Sequence, residues 1–174
     1  MRPAKQGQFD GLCGIYAIVN AIEMTGLTGP RSELHRKLFT RMALDLPTDK
    51  LRSAIEYGLE ANDLMRVARR SFRWMRHKHE IDLRIMRPYP DTVFDSCDFY
   101  LEVLRLWTEE PRTAVIVSVA MPGISHWTVV RRVRQTSMTV RDSGRLTELP
   151  LSRFALTRSR YRFEPSDTLI IRRL

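Results

Sequence analysis

The strongest constraint on the fold is a change of hydrophobic period near Pro111. Before it, apolar residues recur at spacings of three or four, which predicts helices; after it come short runs rich in Val, Ile and Thr, which predict strands. The runs TAVIVSVAM, HWTVVRRV, SMTVRD and DTLIIRRL are separated by turn-forming residues, so the strands should be antiparallel. Helices followed by an antiparallel sheet define an α+β fold.

The predicted organisation is a single domain over residues 1–174, because a domain holds about 100–200 residues and no linker or repeat divides the chain. Its helical subregion covers about residues 10–110 and its β subregion residues 111–174. The predicted helices cover residues 10–25, 32–44, a segment from Thr48, a segment from about 62 to 74, and a segment from about 95 to 110.

Composition indicates a soluble chain with free thiols. No apolar run approaches the ~18 residues that span a bilayer, and the first residues lack the apolar core of a secretory signal, so we expect a cytoplasmic protein with no membrane partner. Cys13 and Cys97 are too few for a disulfide framework. The pair His77 and His79 has no Cys-x-x-Cys beside it, so we expect neither a metal nor a cofactor.

The charge is strongly positive, with 29 Lys and Arg against 20 Asp and Glu and a net charge of +9. The basic segment around residues 64–78 interleaves arginines with Phe72 and Trp74, a mixture that nucleic-acid grooves use, so nucleic acid is one candidate partner. In a helix, however, the apolar residues of this segment would form a core face and leave the arginines exposed, and the helical period favours this alternative. Such a basic face could also recruit an acidic protein substrate. The predicted core residues are Leu64, Val67, Ala68, Phe72 and Met75.

Cys13 is the better candidate for a reactive thiol. It stands at the predicted start of a buried helix, where free N–H groups and the helix dipole favour a thiolate. Gly11 and Gly14 would let a substrate carbonyl approach the backbone. The alternative is a small core residue. Cys97 fits that alternative better, since acidic neighbours would raise the pKa of its thiol.

A base and an orienting carboxylate are available in the β subregion. His126 begins the strand HWTVVRRV, and Asp142 ends the next strand, just before a Ser-Gly turn. A hairpin that turns at Gln135 would put Asp142 opposite Thr128, which makes it a diagonal neighbour of His126 on the same face. A turn centred half a residue away would break this parity. For the oxyanion of an acyl transfer, the Cys13 N–H and a side-chain amide from Gln8 or Gln6 are candidate donors.

These residues carry a resemblance. The string QGQFDGLCGIYAIVNAI, the later ISHWTVV and the following MTVRDSG resemble the papain-fold cysteine peptidases, most closely the double-glycine peptidases that trim bacteriocin leaders and their free-standing relatives. The resemblance implies a papain-like fold in which Cys13 is the nucleophile, His126 the general base and acid, Asp142 the orienting residue and Gln8 the oxyanion donor.

The resemblance further implies a peptidase or isopeptidase that cleaves an amide bond of a peptide or protein through a thioester. Two other classes remain open from the residues alone. The order Cys, His, Asp also serves other thiol hydrolases and acyl or glutaminyl transferases. A non-catalytic nucleic-acid-binding module is the third candidate.

Overall fold

The structure is a computed structural model that describes residues 11–27, 33–144 and 146–174. Each predicted helix is present, and most of the helix ends lie within a few residues of the predicted positions. None of the helices in these ranges combines the length and the apolar character needed to cross a bilayer. The helices within the described ranges are α1 (Cys13–Met24), α2 (Glu33–Leu44), α3 (Thr48–Tyr57), α4 (Ala61–His79) and α5 (Cys97–Glu109).

The strands form one sheet in the order β1-β6-β2-β3-β4-β5, and every neighbouring pair is antiparallel. The architecture is therefore a mixture of helices and an antiparallel sheet, as expected. A short 3₁₀ turn, Leu151–Arg153, follows the fifth strand. The strands are β1 (Leu83–Met86), β2 (Thr113–Met121), β3 (Ile124–Val133), β4 (Ser137–Arg141), β5 (Glu148–Pro150) and β6 (Arg162–Arg173).

Strand β1 corrects the predicted subregions. It lies inside the range 10–110 that was expected to be helical, and it pairs with the C-terminal strand β6 at one edge of the sheet. A run of four residues with alternating burial is too short for its hydrophobic period to distinguish a strand from a loop. The helical and β subregions are therefore not separate along the chain.

Helices cover both faces of the sheet, which explains the unbroken apolar run of β2. Ala114 and Ile116 pack into a core shared with α1, α2 and α4, whereas Val115, Val117 and Val119 pack into a core shared with α5. A strand that is buried on both faces needs apolar side chains in both directions. This central strand fixes the sheet against which α1 packs.

The start of α1 is held in place by two close contacts at glycines. A Cβ atom at Gly14 would lie 2.7 Å from the Leu64 side chain, and one at Gly11 would lie 2.6 Å from the carbonyl oxygen of Ala54. The Gly11 N–H also donates to the Ile55 carbonyl over 2.7 Å. These glycines are thus needed for packing against α3 and α4. The sequence suggested that they make room for a substrate carbonyl, but neighbouring atoms fill the space that a side chain at either position would occupy.

A buried ion pair ties the other end of α1 to the sheet. Arg141 Nη2, at the end of β4, lies 2.6 Å from Glu23 Oε2, and the two side chains are only 10% and 4% exposed. Buried His35 of α2 lies close to both charges. Removing one member of such a pair leaves an uncompensated buried charge, which costs far more than losing an exposed pair.

We predict that Arg141→Met lowers the free energy of unfolding by about 3–5 kcal/mol because Glu23 is then left buried without its cation. Urea unfolding followed by circular dichroism measures the change. The matched control is Lys37→Met in the exposed pair of Lys37 and Glu33, whose loss should cost less than about 1 kcal/mol. Equal losses in the two variants would contradict a structural role for the buried pair.

Candidate active site

Cys13 is the first residue of α1, as the sequence predicted, and its side chain is buried. The residue before it, Leu12, is the N-cap, and its carbonyl accepts from the N–H groups of Ile15 and Tyr16. A helix leaves its first N–H groups without intrahelical acceptors, and in α1 these include the N–H groups of Cys13 and Gly14. Partial positive charge is therefore concentrated beside the Cys13 sulfur, where it stabilises a negative charge.

His126 connects Cys13 with Asp142. Its ring nitrogen Nε2 lies 2.5 Å from Asp142 Oδ1, and its imidazole is also a hydrogen-bond partner of the Cys13 side chain. Because Asp142 occupies Nε2, Nδ1 is the ring nitrogen available to the Cys13 sulfur. All three side chains are buried, with 5%, 8% and 3% of the surface of Cys13, His126 and Asp142 exposed. The structure therefore brings together three of the four predicted site residues.

The contact between His126 and Asp142 depends on a β-bulge that the sequence did not reveal. The hairpin turn is centred half a residue beyond Gln135, since Arg134 donates to Ser137 across the turn. That register would direct the side chains of Asp142 and His126 to opposite faces of the sheet. The pairing shifts between Val130 and Arg132, so that Val129 faces Arg141 and the next residue, Thr128, lies opposite Asp142. The predicted juxtaposition is thus present, but the extra residue in β3 produces it.

A tight turn fixes the Asp142 carboxylate. Its Oδ2 accepts a hydrogen bond of 2.7 Å from the N–H of Gly144, two residues ahead, as in an Asx turn. A Cβ atom at Gly144 would lie only 3.0 Å from that oxygen. Gly144 is therefore a positioning residue, and the pattern Asp-x-Gly after a strand is the sequence signal that indicates it.

These contacts set the protonation of the site. Burial lowers the pKa of His126, but hydrogen bonds and charge from Asp142 and Cys13 outweigh burial and raise that pKa to about 10. Burial raises the pKa of Asp142, and the contacts with His126 and the Gly144 N–H reverse this effect, so the net shift is downward. At neutral pH the site accordingly holds an imidazolium between a carboxylate and the cysteine.

The candidate oxyanion donors, Gln8 and Gln6, lie outside the described residues. The other thiol, Cys97, is half-buried at the start of α5, and burial followed by the charge of Asp98 raises its pKa. The predicted contrast between the two cysteines is therefore supported at Cys97. Its sulfur lies 3.9 Å from the carbonyl oxygen of Phe154.

The basic helix has the arrangement that its helical period predicted. The five predicted core residues of α4 are all buried, and its arginines are exposed. Phe72 is only 4% exposed, and Trp74 is half-buried against Arg41 and His79. The aromatic rings that would stack on bases are therefore engaged within the protein.

A cavity of about 350 Å³ is lined in part by residues of β3. Ser125 and Trp127, the residues on either side of His126, contribute to its wall, together with Gly58 and Leu59 between α3 and α4. The Trp127 indole N–H donates to the Leu59 carbonyl over 2.9 Å and fixes this wall. Cys13, His126 and Asp142 do not line this cavity.

The chain matches no protein-family model, and no curated protein matches its sequence. Its structure is similar to the crystal structure of a double glycine motif protease from an AMS/PCAT transporter in complex with the leader peptide. The sequences are 12% identical, the match covers 100% of this chain and 93% of that one, and the TM-score is 0.48. The sequence motifs resemble the same class of peptidase.

We predict that the His126 ring stays protonated through neutral pH and loses its proton only as the pH approaches 10. Asp142→Asn removes the carboxylate that favours the imidazolium, so the pKa of His126 should fall toward or below the ordinary value of 6.5. NMR titration of the imidazole signals measures both values, with His126→Gln used for assignment.

The matched control is Asp98→Asn, which removes an exposed carboxylate elsewhere and should leave the His126 titration unchanged. A His126 signal that titrates near pH 6.5 in the unmodified protein would contradict the proposed charge state.

Proposed function

We propose that this protein is a cysteine peptidase that cleaves an amide bond of a peptide or protein with Cys13, His126 and Asp142 as a catalytic triad. The observation that carries the proposal is the continuous contact from the Cys13 side chain through the His126 ring to Asp142 at the start of a helix. A nucleophile, a base and a residue that orients the base define this kind of site by geometry.

In the acylation step, the Cys13 thiolate attacks the carbonyl carbon and a C–S bond forms. The tetrahedral intermediate then collapses, the C–N bond breaks, and the leaving nitrogen takes the proton of the His126 imidazolium. The products of this half-reaction are an amine and a Cys13 thioester. Asp142 holds the ring with Nε2 toward itself, so Nδ1 faces the reacting atoms.

In the deacylation step, neutral His126 accepts a proton from water while the water oxygen attacks the thioester carbonyl. The C–S bond breaks, a carboxylic acid leaves, and the site returns to thiolate and imidazolium. In both steps the backbone N–H of Cys13 is the first proposed donor to the oxyanion, and the side-chain amide of Gln8 is the second.

The first test uses a library of fluorogenic peptide amides, with Cys97→Ala as the matched control for loss of a thiol. Cys13→Ala should lose at least about 10³-fold in kcat/KM because the nucleophile is absent, whereas Cys97→Ala should retain the activity of the unmodified protein. Turnover by Cys13→Ala that equals the parent activity would eliminate the mechanism.

A second measurement separates hydrolysis from transfer. In H₂¹⁸O, peptide hydrolysis places one ¹⁸O atom in the new carboxylate, and mass spectrometry detects it. A product that is joined to an added amine and carries no ¹⁸O would instead indicate an acyl transferase that uses the same thioester.

A further inference from the structure

A second surface, away from Cys13 and His126, has the features of a binding site. It is a groove of about 860 Å³ between α4 and β1. We call it the arginine groove, and its basic residues are Arg66, Arg69, Arg70, Arg73 and Arg76 of α4, Arg84 of β1 and Arg87, which follows β1. It lies at the β1 edge of the sheet, whereas His126 lies on β3 with two strands, β6 and β2, between them.

The groove has uncompensated positive charge. Arg66 pairs with Asp63, and Arg76 lies 3.7 Å from Asp82. Within the described ranges, Arg69, Arg73 and Arg84 have no carboxylate partner in an ion pair. A concave surface with such an excess attracts an anionic partner.

The same groove exposes the free edge of a strand. Strand β1 pairs only with β6 among the described residues, and the Asp82 carbonyl accepts from Leu174 on that side. Because antiparallel pairing alternates along a strand, Leu83 and Ile85 direct their N–H and C=O groups away from β6. An unpaired edge of this kind can accept an extended chain as an additional strand.

The spacing of the charges fits an extended peptide. Arg69 and Arg73 are four residues apart on α4, about 6 Å along the helix axis, and alternate side chains of a strand repeat at about 6.8 Å. Carboxylates at every second position of an added strand could therefore meet successive arginines. Nucleic acid is less well matched, since Phe72 is buried and Trp74 contacts other side chains.

We propose that the arginine groove binds an extended acidic peptide segment, which adds a strand to the free edge of β1 and places alternate carboxylates against Arg69 and Arg73. This inference concerns binding and does not require the peptidase activity.

The test measures fluorescence anisotropy with a labelled ten-residue peptide of alternating Glu and Val, added to the unmodified protein at low salt. Arg69→Glu with Arg73→Glu should weaken binding about tenfold or more because two attractive contacts become repulsive. The matched control, Arg52→Glu with Arg134→Glu, changes the net charge equally at exposed positions outside the groove and should bind as the parent does.

Two further ligands test the geometry on the unmodified protein, so that no variant needs to fold. A peptide of the same sequence with N-methyl groups on alternate amides keeps its charges but cannot pair with β1, and it should bind at least about tenfold more weakly. A ten-nucleotide oligothymidylate should also bind more weakly than the peptide. Equal binding of the methylated peptide, tighter binding of the oligonucleotide, or equal weakening by the control variant would overturn the proposal.

Discussion

The alignment of β3 with β4 is the constraint on which the candidate site depends. One extra residue between Val130 and Arg132 turns a register that would separate His126 from Asp142 into one that joins them. Side chains alternate across a sheet, so a shift of one residue would move Asp142 to the wrong face. Cys13 reaches the same point from a different part of the chain because α1 packs on the sheet and its first turn fits closely against Leu64 and Ala54. Helix packing and strand register must therefore both be correct before the three side chains meet.

The electrostatics of the site follow from that placement. Burial by itself would make His126 neutral, and it would also favour a protonated Asp142. Contact between the two groups reverses both tendencies, and the Gly144 N–H adds to the effect at Asp142. The charged state is therefore a property of the assembled pair. A small displacement of Asp142 would change the protonation of His126 as well as its orientation.

The sequence contained enough information to predict the helices, the main strands, the antiparallel plan and the three residues that meet. Period and turn residues carry that information locally: Cys13 lies between Gly11 and Gly14 at a helix start, and Asp142 ends a strand before Ser-Gly. The bulge leaves no comparable mark, because Arg131 and Arg132 are both exposed and either suits a solvent-facing position. Strand β1 is too short to show a period, and the ion pair of Glu23 with Arg141 joins residues that only tertiary packing brings together. The features that the sequence did not predict therefore depend on contacts between residues that are distant along the chain.

Net charge is a poor guide to how charge is distributed over this molecule. The excess of +9 suggests a uniformly basic surface, yet the cavity lined by Ser125 and Trp127 has more carboxylates than cations. Burial raises the pKa of Asp167 in that cavity; Arg87 opposes the effect, and nearby Glu164 and Glu60 add to it. The arginine groove, in contrast, holds its unpaired cations along one face of α4. The fold separates the two regions because the helical period of α4 directs its arginines to one side, while β6 and the turn before α4 contribute acidic residues near the His126 strand. A ligand that is attracted to the whole protein by its net charge would therefore meet opposite local fields at these two places, so the local charge of each surface has to be considered separately from the net charge.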